Sequence, residues 1–195
     1  MDLRMPGVRT CAGWPDTGRL GYHLNSEATM SKATKQLADL FHEGLKDIYF
    51  AEKKIVTALP KMAKAAGSED LAAAFKKHIN ETEEQVTRLE IVFELIDQKP
   101  HGRNCPGIMG LLDEGQEVTK EYKNSPALDA GLIAAAQAVE HYEISRYGTL
   151  MVWAQQLGMT EAATLLHRTL QEEVKAHALL TQLAEKALNR EPQMA

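Results

Sequence analysis

Apolar residues recur at steps of three and four over most of the chain, the spacing that aligns them on one face of a helix. The first such stretch, 32–66, carries Leu37, Phe41, Leu45, Ile48, Ile55, Leu59 and Met62, and Glu52 fills the step between Ile48 and Ile55. Pro60 lies within the pattern and predicts a kink, because it has no N–H to donate and crowds the preceding turn. Gly67 and Ser68 predict a left-handed helix stop followed by an N-cap. The second stretch, 69–98, has the seam Leu71, Phe75, His78, Thr82, Gln85, Leu89, Val92 and Ile96, polar at its centre and apolar at its ends. Glu81 falls between His78 and Gln85 on that face, and Glu84 lies about 60° round from Glu81.

Residues 99–107 read as a loop, and 108–123 as a shorter amphipathic helix inside a long connection. Ser125 predicts a cap and Pro126 a first helical position for the helix 127–157. There Leu128, Leu132, Ala135, Ala136 and Val139 lead into Glu140 and Glu143, and Tyr147, Leu150 and Ala154 follow. Gly158 and Thr160 predict a stop and a cap before the last helix, 161–189, whose seam includes Leu166, Thr169, Glu173, His177 and Leu180. Residues 1–30 have no periodicity and are broken by Pro6, Gly7, Gly13, Pro15, Gly18 and Gly21, so a disordered leader is expected, with a bundle over 31–190 and a tail at 191–195.

The expected fold is therefore all-α: four long helices joined short, long, short, with an extra short helix in the crossover. That is the connection pattern of a ferritin-like four-helix bundle. Helices of similar length packed side by side bring their midpoints together. Glu52, Glu81, Glu140, Glu143, Glu173 and His177 would then share one level of the core. Several carboxylates in an apolar layer repel one another and lose hydration, so the layer requires cations. Oxygen ligands with an imidazole nitrogen suit two transition ions, iron first and manganese second. The second helix offers Glu81-x-x-Glu84, the third Glu140-x-x-Glu143 and the fourth Glu173-x-x-x-His177. His78, Glu84, Gln85 and Tyr147 are secondary candidates, as ligands or as hydrogen-bond partners of the ligands.

Composition narrows the partners. Ala, Leu, Glu, Lys and Gln are prominent, aromatic residues make up 6%, and the net charge is −5. Neither a nucleic-acid groove nor an anionic membrane surface fits that charge. No apolar run approaches the length of a membrane span, and the N-terminus lacks the apolar core of a secretion signal. The two cysteines, Cys11 and Cys105, form no Cys-x-x-Cys pair. Neither a disulfide framework nor a thiolate zinc site is expected on that basis, which suits a cytoplasmic location. With too few cysteines for a rubredoxin-like module, a separate electron donor is expected.

The motifs Asp47-x-Tyr49-x-Ala51-Glu52, Ala58-Leu59-Pro60, His78-x-x-Glu81-Thr82, Asp129-Ala130, Ile133-Ala134-Ala135-Ala136, Val139-Glu140-His141-Tyr142-Glu143-Ile144, Tyr147-Gly148-Thr149-Leu150 and Glu172-Glu173 resemble the YciF-like and YciE-like group of the ferritin-like superfamily. The resemblance spans roughly 37–188. It implies a stress-associated protein with a dinuclear metal site on Glu52, Glu81, Glu140, Glu143 and Glu173; His177 stands where that family varies. Two functions remain open. One is a di-iron or di-manganese oxidoreductase of the peroxidase, catalase or ferroxidase type, acting on peroxide or oxygen. The other is a non-enzymatic bundle working through structural metal or through contacts with itself or partners. A homodimer or higher homo-oligomer is expected in either case.

Overall fold

A computed structural model describes residues 35–188 and holds five helices: α1 (Leu37–Ala65), α2 (Glu69–Leu95), α3 (Pro106–Glu121), α4 (Leu128–Gln156) and α5 (Thr160–Leu188). The expected leader and tail lie outside the described residues. Among those described there is no strand, and no helix is long and apolar enough to cross a membrane. The pairs α1–α2 and α4–α5 pack most extensively, and the contacts α2–α5 and α1–α4 close them into a four-helix bundle. Helix α3 lies along α4 and touches α1.

The seam residues fill the interior. Phe41, Leu45, Ile48 and Ile55 of α1, Leu71, Phe75 and Leu89 of α2, Leu132 and Leu150 of α4, and Leu166 of α5 are all essentially inaccessible to solvent. Removing each such side chain from water contributes about 1.5–3 kcal/mol, which is what holds the helices together.

Some helix ends follow the sequence expectations and others depart from them. Helix α1 continues through Pro60 to Ala65. Gly67 has no left-handed conformation: the chain leaves α1 at Ala66 with φ −55° and ψ 131°. The turn is instead fastened from another helix, since the Asp129 carboxylate in the first turn of α4 accepts hydrogen bonds from the backbone N–H groups of Gly67 (2.7 Å) and Ser68 (2.8 Å). Ser68 does cap α2, its Oγ accepting from Leu71 N at 3.4 Å. Helix α2 ends at Leu95, where Asp97 takes the left-handed φ of 54° that Asp tolerates better than most residues. Helix α3 begins with Pro106 at its first turn, and its N-cap is Cys105. Pro126 stays outside α4, whose N-cap is Ala127; the Ser125 hydroxyl accepts from Ala127 N at 3.1 Å. Gly158 carries φ 74° after α4, and Thr160 is already part of α5.

Asp129 joins the α1–α2 turn to the start of α4 with two charge-assisted bonds. We expect Asp129→Ala to lower stability by about 1–2 kcal/mol without altering helix content, read as a shift of the urea midpoint beside an unchanged far-ultraviolet circular dichroism spectrum.

Candidate metal centre

The middle of each long helix contributes polar side chains to one buried layer. Glu52 comes from α1, His78 and Gln85 from α2, Glu140, Glu143 and Tyr147 from α4, and Glu173 from α5. Each occupies a seam position, so helix periodicity turns it inward along with its apolar neighbours. Glu52 and Glu173 are 0% exposed, Glu143 1% and Glu140 3%. His78, Glu140, Glu143 and Glu173 each present a ligand atom, and these atoms lie within 4.8 Å of one another. His78 Nε2 stands 3.3 Å from Glu140 Oε1 and 3.6 Å from Glu173 Oε2.

Two neutral donors steady the layer. The Tyr147 hydroxyl donates to Glu52 Oε1, and the Gln85 amide donates to Glu173 Oε1. Each tethers one oxygen and leaves the other. Glu52 Oε2, Glu140 Oε2, Glu173 Oε2, both oxygens of Glu143 and both ring nitrogens of His78 are buried without a hydrogen-bond partner. Such groups are rare in folded proteins because each forfeits its hydration for nothing. Burial above all, and then the charge of Glu173, pushes the Glu52, Glu140 and Glu143 carboxyls well above the usual carboxylate range. Burial followed by the Glu52 charge raises the Tyr147 phenol.

The orphaned atoms fit a bound cation. Their donor set is carboxylate oxygen with one imidazole nitrogen and no thiolate, the combination that suits iron or manganese. Cys105 is buried elsewhere, its Sγ 3.1 Å from the Tyr142 hydroxyl.

Glu81 sits at the rim of the layer, its side chain 31% exposed. It pairs with Lys77 and lies 3.6 Å from His78 Nδ1. His78 first, with Lys77, holds its carboxyl down at about 2, against an opposing contribution from burial. Glu84 faces solvent at 69% side-chain exposure, 3.9 Å from Arg168 and outside the layer, because its rotation from the seam carries it past the edge of the bundle. His177 is also outside the group. Its ring lies tilted against that of His141, with centroids 4.3 Å apart. Four residues beyond Glu173, it stands about 6 Å further along the helix axis. The nitrogen that joins the acids comes from His78 of α2.

Sequence reasoning gave no role to Arg88 and Glu172. Arg88 is buried and forks Glu172 at 2.8 and 3.1 Å while donating to Thr169 Oγ1 at 2.5 Å. Arg88 was marked only by its position one turn beyond Gln85, and Glu172 only by preceding Glu173.

Over residues 36–193 the chain matches the family described as a domain of unknown function, DUF892. It is 43% identical over 157 residues to protein YciF of Escherichia coli K12, covering 80% of this chain and 95% of that protein. The crystal structure of the E. coli stress protein YciF superposes with a TM-score of 0.78 at 42% identity, over 81% of this chain and all (100%) of that one. The Rhodopseudomonas palustris protein YcfI superposes with a TM-score of 0.74 at 45% identity, over 78% and 97% of the two chains. A two-domain Anabaena variabilis protein containing a ferritin-like domain gives 0.56 at 14% identity over 91% of this chain and 48% of that one, a likeness of fold alone.

The raised carboxyls set the sign of a pH effect in the metal-free protein. Glu52, Glu140 and Glu143 hold protons when folded that the unfolded chain releases, so their contribution to stability is complete below the unfolded pKa of about 4.3 and is lost as pH rises towards their folded values. With a chelator present, we expect the urea midpoint to fall as pH rises above about 4.3, and Glu143→Gln, which cannot ionise, to flatten that fall.

Proposed function

The chain belongs to the DUF892 family, with E. coli YciF among its relatives, and from that premise we propose that its acid layer is a dinuclear iron or manganese centre that reduces peroxide or oxygen. The observation that carries this reading is the set of buried, unpartnered oxygens on Glu52, Glu140, Glu143 and Glu173 beside the bare nitrogens of His78. One imidazole is too little positive charge to balance four carboxylates. Arg88, the buried cationic side chain nearest in kind, is committed to Glu172.

Glu52, His78, Glu140, Glu143 and Glu173 would hold the ions. Two redox-active ions there would supply the two electrons that, with two protons, convert a peroxide into two waters. The protein's own part is positional and protective. Tyr147 fixes the Glu52 carboxylate and has a proton to donate at its hydroxyl. Gln85 fixes Glu173 as a neutral donor, neither adding charge nor removing it. Ile48, Ile55, Leu89 and Leu150 exclude bulk water, which strengthens every electrostatic interaction inside. The E. coli relative is described as a stress protein, and consumption of an oxidant suits that setting.

Elemental analysis of natively purified protein tests the reading. We expect about two ions per chain in the wild type, fewer than one in Glu140→Ala and in Glu173→Ala, and ferrous-dependent loss of peroxide in the wild type only. Metal content equal in all three proteins would rule out the centre. Two ions with no peroxide turnover would leave a structural metal site in place of an oxidoreductase.

A further inference from the structure

A cavity of about 50 Å³ opens between α2 and α5, and its lining includes Ala74, Glu81, His78, Glu140 and Ala176. It reaches from the partly exposed Glu81 to two buried members of the acid layer. A larger cavity of about 210 Å³ between α1, α3 and α4 is walled by Met62, Leu111, Leu112, Ala135 and Val139 and holds none of the acids. A cation entering there would meet no carboxylate, only the neutral Gln116 and Thr119 side chains beside Lys61 and Lys120, which repel it.

We propose that cations enter the acid layer through the α2–α5 cavity, captured at its mouth by Glu81 and handed inward by the His78 imidazole to Glu140 and Glu173. This rests on the reading of the layer as a metal centre. The groups form a graded series. Glu81 Oε1 pairs with Lys77, whose side chain is 66% exposed and so free to swing away. Glu81 Oε2 lies 3.6 Å from His78 Nδ1, and His78 Nε2 lies 3.3 Å from Glu140 and 3.6 Å from Glu173. The imidazole thus has one nitrogen towards the outer carboxylate and one towards the inner pair, both buried. Lys77 and Lys175 also line the cavity. Glu81 is its one partly exposed acid among the described residues, so without it the mouth repels the ions that the interior binds.

Stopped-flow loading of the chelator-stripped protein with cobalt(II), followed by the visible absorption of the bound ion, separates entry from binding. We expect Glu81→Gln, and Ala176→Trp across the α2–α5 mouth, to load roughly tenfold more slowly yet reach the wild-type cobalt content. Gln116→Trp, beside the α1–α3–α4 cavity, should load at the wild-type rate. Circular dichroism and urea midpoints of all three establish that they fold. A Glu81→Gln protein that loads as fast as wild type overturns the entry route. One that reaches a lower final content overturns it too, since Glu81 is then a resident ligand, and so does slowing by Gln116→Trp without slowing by Ala176→Trp. A wild type that takes up no cobalt removes the metal-centre reading itself, a different failure from any of these.

Discussion

Four carboxylates share one dry layer of this bundle, and most of what surrounds them follows from the cost of keeping them there. An isolated ionised carboxylate in such a setting costs several kcal/mol, against a net stability of about 5–15 kcal/mol for a whole domain. A folded chain cannot hold Glu52, Glu140, Glu143 and Glu173 all charged with no positive counterpart. Among the described side chains His78 alone can bring positive charge into the layer, and one imidazole cannot balance four carboxylates; Arg88 is forked to Glu172, and Lys77 stays at the rim with Glu81. Either protons or cations must therefore balance the acids.

The neighbouring polar groups are arranged to hold the acids without satisfying them fully. Tyr147 and Gln85 are neutral donors that each fix one oxygen of a carboxylate whose second oxygen stays bare. A lysine or arginine in either place would neutralise the layer from within and leave a metal ion little to gain. Rigidity comes from further out. The helix pairs α1–α2 and α4–α5 are packed along their length, and Asp129 ties the α1–α2 turn to the beginning of α4. Pre-positioned side chains lose less freedom when they bind, which favours the bound state.

The long helices were legible because their period is strong: seams such as Phe41, Leu45, Ile48 and Ile55 leave little choice of element. The same periodicity exposed Glu52, Glu140, Glu143 and Glu173 as interruptions of apolar faces, and the structure buries all four in one layer. Less was legible where the outcome depends on which helices touch. The spacing of Glu173 and His177 suggested a pair on one helix and ranked His78 second; the imidazole whose nitrogen lies within 4.8 Å of the acids is His78, brought in by packing of α2 against α5. The fork between Arg88 and Glu172 depends on the same adjacency, which no single-helix pattern encodes. Local turn chemistry also misled at Gly67, whose glycine suggested a left-handed stop; the backbone there is held by Asp129, 62 residues away in sequence.

Anomalous diffraction is the most direct test of whether metal ions occupy this acid layer. Crystals grown with manganese(II) and measured for manganese anomalous signal should show two peaks among Glu52, His78, Glu140, Glu143 and Glu173. A map with no peak in that layer, or with peaks only at acids on the protein surface, would contradict the account.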